Sequence, residues 1–593
     1  MRLISVQVLG NEDFRSLKVN KVYRFYKPSE ENEDIEDYST HTGTQLTKTV
    51  FTGVNGSGKS NFLQLLSEIF AYLETWHLNV TEKTVKQGLN FGFEIYYSLY
   101  FNEARLFFLK IENAGDINLK VRVTKRLSEE PKFAVQLPNG VFREISEDTH
   151  LLLPNKVVAY SSGQNEMLSN PYYRLKHYAF QELAKVKGKT LFDDRMVFID
   201  YTNSYSLFIA NFLLADEAKL KIIKDHLQVK AFTSFRISIN LKNYRKNPLP
   251  MHDELRQHIE SLKQCATSWV NKKSKTDDLL ILDYSIRESD AVKDAFRYYF
   301  PSAANLYNVL FQLEMLNLHQ IGSDTITRVM RAPKWVHFSD EMGKIESSKL
   351  TFRIEHIKIE KITGNEKSKD TKEDKIITKE RYYRALSDGE HQFALMLGAV
   401  MLFEEGNVLY LFDEPETHFN PKWKYDYLSL VDSVSPQTDS HILLTTHDPV
   451  LLSGLKKEQV MKFKKAEDGE VSINQAEEDL IGMGVDGILT TDIFGFVSTL
   501  DKETKNDVIE FRELALKRYN KTMSDGDRDR YVYLYRKLDG IDYAKPLFDP
   551  MYRDYLNSME NLDLYKKTSL TKKETEERRL ISDAILKKLN ESE

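Results

Sequence analysis

The sequence predicts an α/β fold whose mixed sheet is assembled from two separated stretches of chain. Three observations predict it. The stretch FTGVNGSGKSNFLQLL, Phe51–Leu66, runs from an apolar strand through a glycine-rich loop into an apolar helix. The runs VLYLF and HILLTTH, in the second half of the chain, are apolar and short enough to lie as strands buried inside a sheet. From residue 166 to 335 leucine, isoleucine and aromatic residues recur at spacings of three and four, the period of packed helices.

Taken in order, residues 1–165 are expected to form one lobe rich in short β-like runs: RLISVQVLG, TVFTGV, FGFEIYYSLYF, RLFFLKIENA, KVRVTKRL and KVVAYSS. They flank the helix that follows the glycine loop, and the acidic stretch 28–43 interrupts them as an exposed loop. Residues 166–335 read as an inserted helical domain, carried by ADEAKLKIIKDHL, MHDELRQHIESLKQCATSWV and SDAVKDAFRYYF. The segment has no sustained heptads, which argues against a long coiled coil. Residues 336–500 return to strands, SKLTFRIEHIKIEKI and KIITKERYYRAL joined by a charged tip, then VLYLF and HILLTTH. Residues 501–593 are charged and helical, a C-terminal appendage in which TKKE, Thr571–Glu574, has the form of a capping box.

Composition bounds the function. A chain of 593 residues with 41% hydrophobic content can fill several cores. The single cysteine, Cys265, excludes an intrachain disulfide framework and a cysteine zinc site, so the expected compartment is the reducing cytoplasm. No apolar stretch approaches a membrane span, and the first residues alternate like a strand, without a signal-peptide cleavage site. A net charge of −6 gives no global attraction to nucleic acid. Any such site must be local. Lys219, Lys221, Lys224 and Lys230 form one candidate patch and Lys242, Arg245 and Lys246 another, although charge runs of this kind ordinarily mark only a solvated helix face or loop.

The glycine loop carries the first chemistry. Gly53, Gly56 and Gly58 before Lys59 and Ser60 fit G-x-x-x-x-G-K-[ST], and the strand before and helix after supply the context that the pattern requires. Backbone N–H groups along Gly53, Asn55, Gly56, Ser57, Gly58 and Asn61 are expected to cradle the phosphates of ATP. Lys59 would reach the β and γ phosphates and Ser60 would ligate Mg2+. Farther on, a buried strand delivers Asp413 and Glu414 to its C-terminal edge, where open α/β sheets bind ligands. Asp413 would hold the magnesium through water and Glu414 would orient and polarise the attacking water.

LSDGE, Leu386–Glu390, opens a long apolar helix and offers free N–H groups to an anion through Ser387 and Gly389. His447 follows the next apolar strand. With the two earlier motifs, these resemble in order and spacing the ABC-type ATPases. Within that class LFDEPETHFNP resembles the RecF, chromosome-maintenance (SMC) and overcoming-lysogenization-defect (OLD) ATPases, and FRSLK, Phe14–Lys18, resembles the strand that opens that group. The finer resemblance is to ATPases of bacterial restriction and anti-phage defence, including the Septu-type ATPase found beside an HNH nuclease.

The resemblance implies several things. LSDGE would be the signature, His447 the switch histidine at the γ-phosphate, Glu416–Pro421 the loop that touches the opposing subunit, and Gln164 the glutamine that senses magnesium and water. ATP would be sandwiched in composite sites of a homodimer, or of a higher oligomer built from it. The chain would be an ATPase controlling a nuclease or other effector, with nucleic acid as trigger or target and no membrane. Two other readings stay open: a DNA-end binding repair or recombination ATPase, and an ATPase with an intrinsic nuclease site. The sequence VMKFKKAEDGEVSINQAEEDL lacks the acidic order of a Toprim nuclease, and one cysteine cannot form a zinc hook.

Overall fold

The computed structural model describes residues 1–25, 46–78, 89–112, 115–163, 166–183, 195–326, 346–366, 375–539 and 577–585, apart from short gaps within these ranges. The acidic stretch 28–43, Gln164 and the expected cap at Thr571–Glu574 lie outside the described residues. The chain divides into two compact units. The first is Met1–Leu451 with Lys457–Glu477, the second Leu452–Lys456 with Glu478–Glu593. The division therefore falls earlier than the boundary expected at 501.

In the first unit, an antiparallel sheet contains β1 (Arg2–Leu9), β2 (Val22–Arg24), β4 (Gly92–Phe101), β5 (Ile117–Lys125), β6 (Lys132–Gln136) and β7 (Phe142–Ile145), in the order β2-β1-β4-β5-β6-β7. The main sheet contains β3 (Thr47–Thr52), β8 (Lys156–Ser161), β9 (Met196–Ile199), β15 (Val408–Asp413), β16 (His441–Thr445), β17 (Val460–Lys465) and β18 (Val471–Gln475), ordered β18-β17-β3-β16-β15-β8-β9. Its strands are parallel except for β18 at the edge, so the sheet is mixed as expected. All six residues of β15 and all five of β16 are buried, which explains their unbroken apolar runs.

Helix α1 (Lys59–His77) joins the two sheets through one core. Phe70 meets Tyr97 of β4 edge-on at 6.0 Å, and Phe62 meets Phe51 of β3 at 5.5 Å. At the seam, Leu3 N–H donates to His441 Nδ1 at 3.0 Å, while the His441 Nε2 lies 2.9 Å from Thr49 Oγ1. Because Nδ1 accepts, Nε2 carries the proton and donates to the threonine. Burial holds this imidazole far below its usual pKa, with Arg2 adding to the effect.

The insertion contains the expected helices α3 (Glu166–Leu183), α4 (Ser204–Leu214), α5 (Glu217–Leu227), α6 (Asp253–Cys265), α7 (Ala291–Tyr299) and α8 (Ala303–Met315). It also contains strands that helical periodicity hid. Here β10 (Val229–Asn240), β11 (Ser268–Lys273) and β12 (Asp278–Ser285) join β13 (Phe352–Glu366) and β14 (Lys375–Tyr382) in an antiparallel sheet ordered β11-β12-β10-β13-β14. In β10, Phe235, Ile237 and Ile239 are buried at the period of two that a strand dictates. RLFFLKIENA, expected as a strand, instead starts with helix α2 (Glu103–Phe108), because Asn102 caps it by accepting from Arg105 N–H at 2.9 Å.

Helix α9 (Asp388–Leu402) is buried along its whole length after Glu390. Asn211 of α4 donates to the Gly398 carbonyl at 3.0 Å, and a Cβ on Gly398 would lie 2.5 Å from Leu207. Helix α10 (Pro421–Val434) follows β15, started by Asn420, whose side chain accepts from Trp423 N–H.

In the second unit, α11 (Val485–Thr490) precedes α12 (Lys502–Tyr519) and α13 (Asp525–Asp539). The last two pack around Val508, Phe511, Leu514, Leu534 and Leu538. Arg530 grips Glu510 with two hydrogen bonds of 2.9 and 2.7 Å. Among the described residues no helix is long and apolar enough to cross a membrane.

Candidate nucleotide-binding site

Strand register brings the separated motifs together. Asp413 pairs with Thr445 of β16 and with Ser161 of β8, and Thr445 pairs with Phe51 of β3. The C-terminal ends of four parallel strands therefore share one edge. The loop from Gly53 to Gly58 rises from that edge into α1.

Its glycines are needed. Gly53 has φ +146, and a Cβ there would lie 2.3 Å from the Phe463 carbonyl oxygen. Gly58 has φ +98, and its Cβ would meet Ser16 Oγ at 2.7 Å. Gly56 has φ +77 with open space beside it, and Asn55 is exposed. Ser57 Oγ is buried without a hydrogen-bond partner. Asn61 does not face the loop alone: its amide donates to Ser16 Oγ at 2.8 Å and accepts from Arg15 at 3.3 Å. FRSLK is thus a tight turn closed by Phe14 and Leu17, not a strand, and it braces the glycine loop.

Lys59 is buried and donates to the carbonyls of Gly53 at 2.8 Å and Val54 at 3.4 Å. Burial lowers its pKa, opposed by the charges of Glu414 and Asp413. Ser60 Oγ donates to Asp413 Oδ1 at 2.8 Å, and Thr445 Oγ1 donates to the same oxygen at 2.6 Å. A hydroxyl and a carboxylate oxygen in contact, beside a lysine and a row of left-handed glycines, suit magnesium and phosphate.

Glu414 has φ +50, a conformation uncommon for a glutamate, and its N–H is held by Thr445 O at 3.2 Å and Thr445 Oγ1 at 3.1 Å. His447 Nδ1 lies 3.0 Å from Glu414 Oε1. The carboxylate accepts, so Nδ1 carries a proton and donates to it. Behind them, Glu416 is buried and accepts from Thr446 Oγ1, while its second oxygen has no partner. Burial pushes the Glu416 carboxyl up to about 7, with Glu414 and Asp448 pushing the same way and Thr446 opposing.

Ser387 and Gly389 belong to a second cluster. Ser387 caps α9 in a reciprocal box with Glu390: Glu390 N–H donates to Ser387 Oγ at 3.3 Å and Ser387 N–H to Glu390 Oε2 at 2.8 Å. Lys361 of β13 pairs with the same Glu390. The Gly389 Cα lies against the loop after Glu414, where a Cβ would be 2.5 Å from the His418 carbonyl oxygen. The structure thus joins Ser60 to Asp413 and Glu414 to His447 directly, with Lys59 near enough to feel both carboxylates, and ties Ser387 and Gly389 to Glu390 and His418.

Three residues of the basic patches are engaged within the chain. Lys221 pairs with Asp225 at 2.8 Å, Lys224 pairs with Glu217, and Lys242 donates to the carbonyls of Ser274 at 2.9 Å and Lys275 at 3.1 Å. Sequence reasoning missed Thr445, Thr446 and Gln392. The paired threonines before His447 were the available signal, since hydroxyls at a sheet edge beside carboxylates find partners.

Residues 336–453 match the family described as "AAA domain, putative AbiEii toxin, Type IV TA system". Over 90 residues the chain is 31% identical to the Septu protein PtuA of Bacillus mycoides (strain KBAB4), covering 15% of this chain and 12% of that protein's length. Solved Smc head domains from Pyrococcus furiosus, with an extended coiled coil and bound to the C-terminal domain of ScpA, and from Thermotoga maritima are 14% and 11% identical. These matches cover 80% of this chain and 96% and 100% of those chains, each with a TM-score of 0.28, too low to bear on the fold. Over these stretches the chain is similar to an AAA-domain family and to a Septu protein.

Proposed function

We propose that this chain, an α/β protein with an ABC-type P-loop core, binds Mg-ATP and hydrolyses it in composite sites between two copies, and that this cycle controls a partner effector in anti-phage or restriction-associated defence. The observation that carries the reading is the contact of Ser60 with Asp413 at 2.8 Å, with Lys59 beside them and Glu414 paired to His447 at 3.0 Å. Five residues from three distant segments meet at one sheet edge with the donors and acceptors that phosphoryl transfer requires.

When bound, magnesium would neutralise phosphate charge and leave the terminal phosphoryl open to water. Ser60 and Asp413 would hold it. Lys59 would exchange its loop carbonyls for phosphate oxygens, a change that restores a charged partner to a partly desolvated ammonium. Glu414 would orient the water, its carboxylate kept in place by the His447 imidazole. Ser387, from the partner copy, would trade its Glu390 contact for the phosphate and close the site.

The similarity to PtuA supports the defence setting and a separate effector, and a nucleic acid is the proposed trigger or target. The test is ATP binding and turnover by purified chain. Lys59→Ala should abolish both while leaving the fold intact by circular dichroism. If that variant binds ATP as tightly as wild type in calorimetry, the site lies elsewhere.

A further inference from the structure

The loop that follows Glu414 is gripped from one side by the first turns of α9. His418 N–H donates to Gln392 Oε1 at 2.9 Å, and the same glutamine donates through Nε2 to Tyr160 OH at 2.9 Å. The other side of the His418 peptide is held too, because its carbonyl rests against Gly389, where no Cβ fits. Gln392 is buried, so its amide has no water to fall back on. Tyr160 stands on β8 opposite Phe412, one residue before Asp413 in register.

From His418 back to Glu414 the loop is internally tied. Thr417 Oγ1 donates to the Glu414 carbonyl at 2.8 Å and lies 3.0 Å from Ser162 Oγ, while Phe419 N–H donates to the Glu416 carbonyl at 2.9 Å. The strained backbone of Glu414 is therefore fixed at its N–H by Thr445 and from its C-terminal side by a chain of bonds ending on Gln392. Ser387 and Gln392 lie on successive turns of one helix, so a displacement of the Ser387 end carries the glutamine with it.

We propose that Gln392 is a positioning residue for ATP hydrolysis: through the His418 amide it sets the place of Glu414, and it links that carboxylate to the signature end of α9 in the same chain. This rests on the ATPase reading above and adds to it the residue that transmits between the two ends. The assigned role of Gln392 is to act through the His418 amide and not on the reacting atoms.

The test uses full-length chain and measures ATP affinity by calorimetry, the kcat and KM of turnover, and amide hydrogen exchange across residues 414–420. Gln392→Leu keeps the volume and removes both hydrogen bonds. It should lower kcat roughly 10- to 100-fold, the scale of a small misplacement of a reacting group, with ATP affinity unchanged and exchange in 414–420 faster. Gln392→Glu keeps an acceptor for His418 N–H and accepts from Tyr160 OH, so it should recover most of kcat. Tyr160→Phe leaves the His418 bond and should fall between. The proposal is overturned if Gln392→Leu turns over at the wild-type kcat, if its exchange is unchanged, or if affinity falls as far as kcat and Gln392→Glu restores nothing, which marks a packing role. A wild-type chain that binds ATP but never hydrolyses it overturns the ATPase reading itself, and is distinguished by the absence of any kcat to compare.

Discussion

Glu414 shows how much a single residue here depends on its neighbours, since a glutamate at φ +50 persists only where surrounding bonds over-determine it. Glu414→Gln keeps those backbone bonds and removes the charge. Turnover should fall roughly 100- to 10,000-fold while ATP binding is retained, as single-turnover assays alongside calorimetry would show. Equal losses of binding and turnover would contradict the assigned role. Glu416 makes a separate prediction at this scale. Its folded pKa of about 7 exceeds that of an unfolded glutamate, so the folded chain binds the extra proton and loses stability as pH rises through that interval. Glu416→Gln cannot ionise. In thermal melts its stability relative to wild type should improve from pH 5 to pH 8, and a pH-independent difference would contradict burial as the cause. His441 has the opposite sign: with a depressed pKa it costs stability as pH falls below the ordinary histidine range.

At the scale of elements, the glycine loop and the first turn of α9 are places where backbone approach sets the design. Gly53→Ala meets both a left-handed φ and the Phe463 carbonyl, so it should destabilise the chain by at least about 1 kcal/mol and abolish ATP binding, as melting and calorimetry would show. A stable variant that binds ATP would mean that the loop can re-form around a side chain. The strand, loop and helix of the P-loop and the β15 and β16 strands were legible because buried parallel strands impose unbroken apolar runs and glycine marks the turn. What stayed hidden depends on partners distant in sequence. The strand β10 was masked by helical neighbours on both sides, α2 was decided by one capping asparagine, and Gln392 gave no local signal because its partners, Tyr160 and His418, lie on other elements. The motif residues were readable as a set; the bonds that orient them were not.

At the scale of the molecule, the proposed shared site predicts that Lys59 of one copy and Ser387 of the other act on the same nucleotide. Mixing Lys59→Ala chain with Ser387→Arg chain puts both defects in one composite site and leaves the other intact. Turnover should reappear in the mixture although each parent is inactive, and Glu414→Gln should show an ATP-dependent rise in mass by light scattering. No rescue and no change in mass would mean that each copy hydrolyses alone. The order of the main sheet has a further consequence for the life of the chain before it is complete. Strand β3 lies between β16 and β17, so on the ribosome both its edges stay bare until residues 441–445 have emerged, and one edge until 460–465 has followed. A nascent chain stalled with residues up to 435 exposed should be blind to ATP, one stalled with residues up to 477 exposed should retain it, and the interval between them is when this protein most needs protection from pairing with the wrong strand.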